Sequence, residues 1–251
     1  MGGEALQRLQ DGARRAARDL VAGLDLAAPI SGGGRPRVVA DMVATADGRA
    51  AIQGRSVALG HPADRALLRE LRTAADAILV GSGTLVAERY ANLLDAEQRA
   101  RRVADRRPPH PLVVTLSRQL TLPRDVPIFD EPGVPVVVFT HAGEEVAAPV
   151  LGAGLDVVRV AGEAPLLVSA LAALGARGVR SVLCEGGPTL LRQLVADGGL
   201  DDLLLTVSPL LAAGVAPTIL EGAPLVEPAR LTLRDVHRAD DHVFLHYGLV
   251  R

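Results

Sequence analysis

The chain has 251 residues, of which 49% are hydrophobic and 22% are charged, and its formal net charge is −2 at pH 7. This composition is typical of a folded globular protein, long enough for one large α/β domain with an extension, and it excludes a disordered chain. A near-neutral charge and only 2% aromatic residues argue against nucleic-acid binding, which relies on basic surfaces and aromatic stacking. No apolar run reaches the length of a membrane span. The one cysteine excludes a disulfide framework and a multi-cysteine zinc site, so we expect a cytoplasmic protein without a metal.

The first 36 residues predict an extension to the main domain. Apolar residues recur at helical spacing between Glu4 and Ala28, which predicts a helix there. A glycine-rich linker over residues 31–36 follows, and we expect the main domain to span residues 37–251.

From Arg37 onward, short apolar runs alternate with helical patterns, which predicts an α/β fold with a mostly parallel sheet and helices on both faces. The predicted strands span residues 38–44, 77–80, 112–116, 134–139, 155–160, 181–184 and 202–207. The predicted helices span residues 62–73, 144–151, 165–174 and 188–196. Residues 101–111, rich in Arg and Pro, predict an exposed loop, and residues 231–237 and 242–249 predict a C-terminal β-hairpin.

Three glycine-containing turns follow predicted strands. They are Thr45-Ala46-Asp47-Gly48, Gly81-Ser82-Gly83-Thr84 and Glu185-Gly186-Gly187, and Pro188 after the third suits the first turn of a helix. Taken singly, each turn is as well explained by a purely structural role. Ligands of open α/β sheets bind outside the carboxyl ends of the strands, so three such turns together predict a nucleotide or dinucleotide site.

A fourth element, Leu116-Ser117-Arg118, directly follows a predicted strand. A hydroxyl and a guanidinium at a strand end suit the 2′-phosphate that distinguishes NADPH from NADH, although Arg118 is equally interpretable as a solvated loop arginine. Neither a G-x-G-x-x-G fingerprint with its downstream acidic residue nor a P-loop occurs in the sequence.

With these motifs in place, the chain resembles the reductase domain of riboflavin-biosynthesis deaminase/reductases, which shares its fold with dihydrofolate reductase. The turn at 44–48, the segment 64–84, the Glu-Gly-Gly-Pro-x-Leu motif at 185–190 and the segment 201–210 carry the resemblance. Leu116-Ser117-Arg118 is similar to the Leu-Ser-Arg turn of dihydrofolate reductases. The deaminase motifs His-x-Glu and Pro-Cys-x-x-Cys do not occur, so we expect a stand-alone reductase.

The resemblance implies a dihydrofolate-reductase-like fold and NADPH-dependent hydride transfer to the ribosyl C1′ of a phosphoribosylamino-pyrimidine. The residues that it implies for cofactor binding are Thr45, Gly81, Thr84, Ser117, Arg118, Gly186, Gly187 and Thr189. It implies that Asp47 and Glu185 are catalytic and face the substrate and the nicotinamide.

One departure from the family pattern concerns the substrate. The family's Ala-Asp-x-Pro-x-Leu-Thr-x-Arg segment is replaced here by residues 87–93, in which Glu88 and Arg89 are expected to bind the substrate. The change leaves two alternatives open: a dihydrofolate- or pteridine-type reductase on the same fold, or a nucleotide-binding paralogue without catalysis. We also expect a homodimer, because the hairpin and the strand at 202–207 offer an edge for a partner.

Overall fold

One 11-stranded sheet runs through the computed structural model of the chain, which describes residues 5–30, 33–91, 93–122, 125–146 and 155–250. The strands are β1 Leu6–Arg8, β2 Arg14–Arg15, β3 Arg37–Thr45, β4 Ala77–Leu79, β5 Leu112–Leu116, β6 Val136–Thr140, β7 Leu155–Arg159, β8 Ser181–Cys184, β9 Asp202–Ser208, β10 Leu231–Ala239 and β11 His242–Leu249. The helices are α1 Ala17–Gly23, α2 Pro62–Ala74, α3 Ser82–Ala87, α4 Ala96–Ala104, α5 Leu166–Ala176 and α6 Pro188–Ala196.

The order of the strands is β2-β1-β10-β11-β9-β3-β8-β4-β5-β6-β7. All pairs from β9 to β7 are parallel, and the pairs from β9 back to β2 are antiparallel. The predicted mixed, mostly parallel sheet with a C-terminal hairpin is therefore confirmed. The carboxyl ends of β3, β8, β4, β5 and β6 share one edge, so the turns that follow them meet there.

Helices cover both faces of the parallel strands, as predicted. Alternate residues of a strand point to opposite faces, and in β3 Val38 and Ala40 pack in the core that contains α5 and α6. Val39 packs on the other face, in the core that contains α1 and α2. The central strands are therefore apolar on both sides and form a rigid base for the turns at their ends.

The N-terminal segment differs from the expected helix over residues 4–28. Only Ala17–Gly23 is helical within the described part of this segment, while β1 and β2 form a small hairpin with Gly12 at φ +71° between them. Strand β1 pairs with β10, and Leu6 is fully buried against the sheet. Tertiary pairing along the edge of β10 has overridden the helical spacing, which local sequence alone could not reveal.

The expected exposed loop at 101–111 is wrong in its first part. Residues 101–104 belong to α4, and Arg102 is buried with 1% of its surface exposed. Its guanidinium donates hydrogen bonds to the carbonyl oxygens of Thr73, Ala75 and Pro108, at 2.7 to 2.9 Å. Arg102 thus closes the C-terminal end of α2, where carbonyl groups lack partners within the helix.

The edge expected at residues 202–207 is also not an edge. Strand β9 lies between β11 and β3, and the free side of the hairpin strand β10 is covered by β1. Most of the helix predicted at 144–151 lies outside the described residues. Within the described parts of the chain, no helix is both long and apolar enough to cross a membrane.

Candidate active site

A cleft of about 1050 Å³ opens at the carboxyl ends of the parallel strands. Strands β8 and β4 lie between β3 and β5 in the sheet, so the turns after β4 and β8 form the middle of the cleft. We name two parts of the cleft. The β3 side is lined by Met42, Ala50, Ala51, Gly54, Ser56, Glu88 and Glu185. The β5 side is lined by Leu116, Ser117, Arg118, Gln119, Thr121 and His141. The cleft is long enough to divide between two ligands or two parts of one ligand.

The two glycine turns in the middle of the cleft lie against each other. The Gly81 N–H donates to the Gly186 carbonyl oxygen over 2.8 Å, and a Cβ on Gly81 would lie only 3.0 Å from the Gly187 nitrogen. A Cβ on Gly187 would lie 2.8 Å from Thr84 Oγ1, and Gly186 adopts a φ of +81°. Side chains at 81 and 187 would push the turns apart, and the positive φ of residue 186 favours glycine there, so close packing and backbone conformation together explain the Gly-Gly sequence.

Helix α6 begins directly at this turn. Gly187 is its N-cap, Pro188 occupies its first turn, and Thr189 is exposed on the cleft wall. The first N–H groups of a helix have no partner within it and favour an anion. The structure thus brings Gly81, Thr84, Gly186, Gly187 and Thr189 to one place, as the sequence predicted they would lie.

On the β5 side, Ser117 and Arg118 line the cleft as predicted. The Ser117 hydroxyl donates to the carbonyl oxygen of Thr121 over 3.0 Å and so closes the turn after β5. The Arg118 side chain is exposed and has no partner among the described residues. The turn therefore presents a free guanidinium to the cleft.

On the β3 side, Glu185 is bound by two residues that the sequence did not single out. Arg72 Nε and Nη2 donate to Glu185 Oε1 and Oε2 over 2.7 and 2.6 Å, and the Tyr90 hydroxyl donates to Oε2 over 2.5 Å. The side chains of Glu185 and Arg72 are 7% and 16% exposed, and the guanidinium lies 5.2 Å from the Tyr90 ring centre. Such a bidentate, nearly buried pair fixes the carboxylate in one orientation.

Burial and this pairing perturb the groups around Glu185. Burial lowers the pKa of Arg72, but the Glu185 carboxylate raises it more, so the net pKa lies above the ordinary value. Burial, and then the Glu185 charge, raise the pKa of Tyr90 well above its ordinary value. At neutral pH the guanidinium is therefore charged and the phenol protonated, which is the state that holds Glu185.

A further carboxyl group, Asp41, lies near this cluster in the middle of β3. Its Oδ1 atom is buried and has no hydrogen-bond partner among the described residues. Burial, and then repulsion from Asp64 and Glu185, raise the pKa of Asp41 well above its ordinary value. The shift favours the neutral form of Asp41, which competes less than a carboxylate would with Glu185 for the charge of Arg72.

Glu88 also lines the β3 side, at the C-terminal end of α3. Its Oε1 atom accepts hydrogen bonds from the backbone N–H and the hydroxyl of Ser56, at 2.9 and 2.8 Å. Arg89 is exposed at a φ of +46° and does not line the cleft. Of the two residues expected to bind substrate, the structure brings only Glu88 into the cleft.

The structure places Thr45 and Asp47 outside the cleft lining. The Thr45 hydroxyl donates to Asp47, whose carboxylate also accepts the N–H groups of Ala212 and Ala213 at 3.1 and 2.7 Å. These hydrogen bonds, first that of Thr45, lower the pKa of Asp47 to about 2. The geometry fits a carboxylate that ties the turn after β3 to the loop after β9, rather than one that faces a substrate.

The residues missed from the sequence, Arg72, Tyr90 and Ser56, reach the site from separate segments. No local motif distinguishes Arg72 from Arg65 and Arg69 on the same helix. One signal was available: a carboxylate at the end of a buried strand requires a cation nearby. The identity of that cation depends on how α2 packs on the sheet.

A parallel sheet with glycine turns, a free guanidinium and fixed carboxylates at its carboxyl edge is typical of open α/β proteins, whose ligands bind at that edge. The chain belongs to the RibD C-terminal domain family, whose model matches residues 36–245. This match confirms the resemblance found in the sequence. It also confirms that the chain is a reductase, and the reductase family implies a nicotinamide cofactor.

Individual relatives agree with the family. A protein of Archaeoglobus fulgidus, named 2,5-diamino-6-ribosylamino-4(3H)-pyrimidinone 5′-phosphate reductase, is 30% identical over 78% of this chain and 91% of its own length. The crystal structure of a pyrimidine reductase-like protein from Corynebacterium diphtheriae matches with a TM-score of 0.75 at 24% identity, over 94% of this chain and 99% of its own.

A longer relative has a second part that this chain does not match. It is the diaminohydroxyphosphoribosylaminopyrimidine deaminase/5-amino-6-(5-phosphoribosylamino)uracil reductase of Thermotoga maritima. It matches with a TM-score of 0.69 at 23% identity, over 86% of this chain and 57% of its own length. At these identities, both solved structures support the fold.

Proposed function

We propose that this chain is an NADPH-dependent reductase that transfers hydride to the ribosyl C1′ of a phosphoribosylamino-pyrimidine. The arrangement of the cleft carries the proposal: paired glycine turns in the middle, Arg118 on one side, and Glu88 and Glu185 on the other. The names of the Archaeoglobus and Thermotoga relatives support it, because both describe pyrimidines with a phosphorylated ribosylamino group.

The residues of the middle and the β5 side fit a dinucleotide. Gly81 and Gly187 leave no room for a side chain where the turns meet, and the start of α6 offers N–H groups to a pyrophosphate. Arg118 has a free guanidinium for a 2′-phosphate, while the Ser117 hydroxyl holds the turn that carries it. When bound, the nicotinamide would supply the hydride, and the protein contributes the orientation of the two reactants.

On the β3 side, the chain's own residues position the pyrimidine. Glu185 is fixed by Arg72 and Tyr90 and presents a stable negative charge beside the glycine turns. Glu88 presents a second carboxylate from α3. We assign Thr45 and Asp47 to support of the neighbouring loops, and Arg89 to the approach of the substrate phosphate outside the cleft lining.

A binding experiment with Arg118→Ala tests the cofactor. A charge-assisted contact with the 2′-phosphate contributes enough that the variant should bind NADPH about tenfold more weakly, while its affinity for NADH changes little. Fluorescence titration of both cofactors measures this, with the exposed loop residue Arg230→Ala as the control. An equal loss for NADPH and NADH would contradict the assignment of Arg118.

Turnover is tested separately by following NADPH oxidation with each candidate pyrimidine. Reduction of either compound supports the proposal. NADPH binding without reduction of a pyrimidine would instead favour a nucleotide-binding protein that lacks catalysis, and reduction of dihydrofolate alone would favour a pteridine reductase.

We further propose that two copies of the chain associate through the region after β9. Large apolar side chains are exposed there, and exposed apolar surface is a common feature of subunit contacts. They are Leu210, Leu211, Val215, Val226, Leu231 and Leu233. Sedimentation should show a dimer, and the double variant Leu211→Lys/Leu233→Lys should be monomeric, while Val103→Lys on α4 leaves the dimer intact. A monomeric unmodified chain would refute the proposal.

A cytoplasmic location completes the proposal. Cys184 lies in β8, fully buried, and its thiol is free. Burial raises the pKa of the thiol to about 12, so it is unreactive and compatible with a reducing compartment.

A further inference from the structure

A second cavity, of about 200 Å³, lies beneath the N-terminal segment of the chain. Residues of β1, β2 and α1 form one wall, and residues of β9, β10 and β11 form the other. We call it the N-terminal cavity. Its lining shares no residue with the lining of the cleft, so it is not a part of the cofactor or substrate site.

The interior of the N-terminal cavity is apolar. Five large apolar side chains of the core that contains α1 and α2 line it: Leu20, Leu24, Leu67, Leu204 and Phe244. Protein interiors are close-packed, and voids larger than a water molecule are few. An apolar cavity of about 150 Å³ in another protein binds benzene, so this one has room for an apolar group of about four to seven carbon atoms.

A glycine at the end of α1 keeps the N-terminal cavity open. Gly23 is the last residue of α1 and lines the cavity, and a Cβ at this position would meet nothing within 4 Å. Its φ lies outside the left-handed region, and a helix favours alanine over glycine. Neither crowding nor backbone conformation therefore requires a glycine here, whereas a larger side chain would narrow the cavity.

Charged side chains of both signs also line the N-terminal cavity. Arg8 Nε donates to Asp235 Oδ1 over 2.9 Å, so these two charges are paired. Arg15 and Asp19 are exposed, and neither side chain has a partner within the described chain. Burial lowers the pKa of His237, which also lines the cavity and is therefore neutral at neutral pH. One positive and one negative group are thus left free beside an apolar interior.

We propose that the N-terminal cavity binds a free amino acid with an apolar side chain, of the kind of leucine or phenylalanine. The guanidinium of Arg15 suits the carboxylate of the ligand, and the carboxylate of Asp19 suits its ammonium group. The apolar side chain fills the interior. A simple anion or cation would meet one charge of opposite sign and one of its own sign, so the two free groups together favour a zwitterion.

The first test is calorimetric titration of the whole chain with a set of matched ligands. L-phenylalanine or L-leucine should bind with a dissociation constant of about 1 mM or tighter. 3-Phenylpropanoate lacks the ammonium group and 2-phenylethylamine lacks the carboxylate, so each should bind at least about tenfold more weakly than phenylalanine. Glycine, which has no apolar side chain, should show no binding. Saturating NADPH should not displace phenylalanine, because the two linings are separate.

Variants of the two free charges locate the ligand. Arg15→Met should weaken phenylalanine about tenfold without weakening 2-phenylethylamine, and Asp19→Asn should weaken phenylalanine without weakening 3-phenylpropanoate. Gly23→Leu should abolish binding by narrowing the cavity. Arg14→Met is the matched control, since Arg14 is exposed beside Arg15 but does not line this cavity, and it should bind phenylalanine as the unmodified chain does.

Four results would overturn the proposal. They are no binding of either leucine or phenylalanine by the unmodified chain, equal binding of phenylalanine and 3-phenylpropanoate, displacement of phenylalanine by NADPH, and an unchanged affinity in both Arg15→Met and Asp19→Asn. Both charged residues are exposed, so these two variants decide the matter even if Gly23→Leu does not fold.

Discussion

Replacing Arg72 with methionine is expected to lower the free energy of unfolding by about 3–5 kcal/mol, because it leaves the Glu185 carboxylate buried without its cation. Glu185 is 7% exposed and receives two hydrogen bonds, as well as its only positive ion-pair partner among the described residues, from this one side chain. For a chain of this length the loss corresponds to a fall in melting temperature of roughly 6–20 °C. Chemical denaturation and calorimetry measure the two quantities.

The same substitution should reduce turnover. Without Arg72, only the Tyr90 hydroxyl holds Glu185, so the carboxylate no longer has a fixed place beside the glycine turns. A displacement of about 1 Å at a reacting site costs on the order of 100-fold in rate, and we expect kcat/KM to fall by about that factor. Arg72 does not line the cleft, so the affinity for NADPH should change little.

A second bidentate pair in the chain supplies the control. Arg101 Nη1 and Nη2 donate to Glu70 at 3.1 and 2.8 Å, but both side chains are 22% exposed. Arg101→Met should therefore cost no more than about 1 kcal/mol and leave turnover unchanged. The double variant Arg72→Met/Glu185→Met removes both buried charges and should regain part of the lost stability. Equal losses in Arg72→Met and Arg101→Met would show that burial does not strengthen the dependence of Glu185 on its partner.

The strands of the parallel half could be predicted from the sequence to within two residues, whereas helix α4 was missed. Strands at 112–116 and 181–184 and the helix at 188–196 have the predicted bounds, because each is an apolar run closed by turn residues. The short strands β1 and β2 could not be predicted in this way. They have three and two residues; β1 is held by pairing with β10, more than 200 positions away in the chain, and β2 pairs in turn with β1.

The site shows the same division between local and long-range information. The glycine turns and Arg118 belong to short motifs whose position at strand ends follows from the sequence. The role of Asp47 could not be predicted from a local motif, because it depends on the N–H groups of Ala212 and Ala213, which a distant loop supplies. The partners of Glu185 likewise come from α2 and from the segment after α3. The partner of Glu88 comes from the loop after β3.

Replacing Gly81 with alanine is expected to weaken NADPH binding about tenfold, since an overpacked contact costs roughly 1–3 kcal/mol and this one lies where the cofactor is expected to bind. Gly81 has φ −69° and ψ 143°, which alanine adopts readily, so the backbone conformation itself is not strained. The added methyl group would lie 3.0 Å from the Gly187 nitrogen and 3.6 Å from the Gly186 oxygen. Both neighbours are backbone atoms, which cannot rotate away, so the two turns must separate.

Gly83→Ala places the same methyl group in the same turn, but in open space. A Cβ on Gly83 has nothing within 4 Å, and the residue lies in α3, where alanine is favoured over glycine by about 1 kcal/mol. We therefore expect Gly83→Ala to be at least as stable as the unmodified chain and to bind NADPH within about threefold of it. Fluorescence titration of both variants decides the matter. If they bind NADPH equally well, the close approach of the turns after β4 and β8 does not shape the cofactor site. If only Gly81→Ala fails while it remains folded, the cofactor depends on the contact between these two turns.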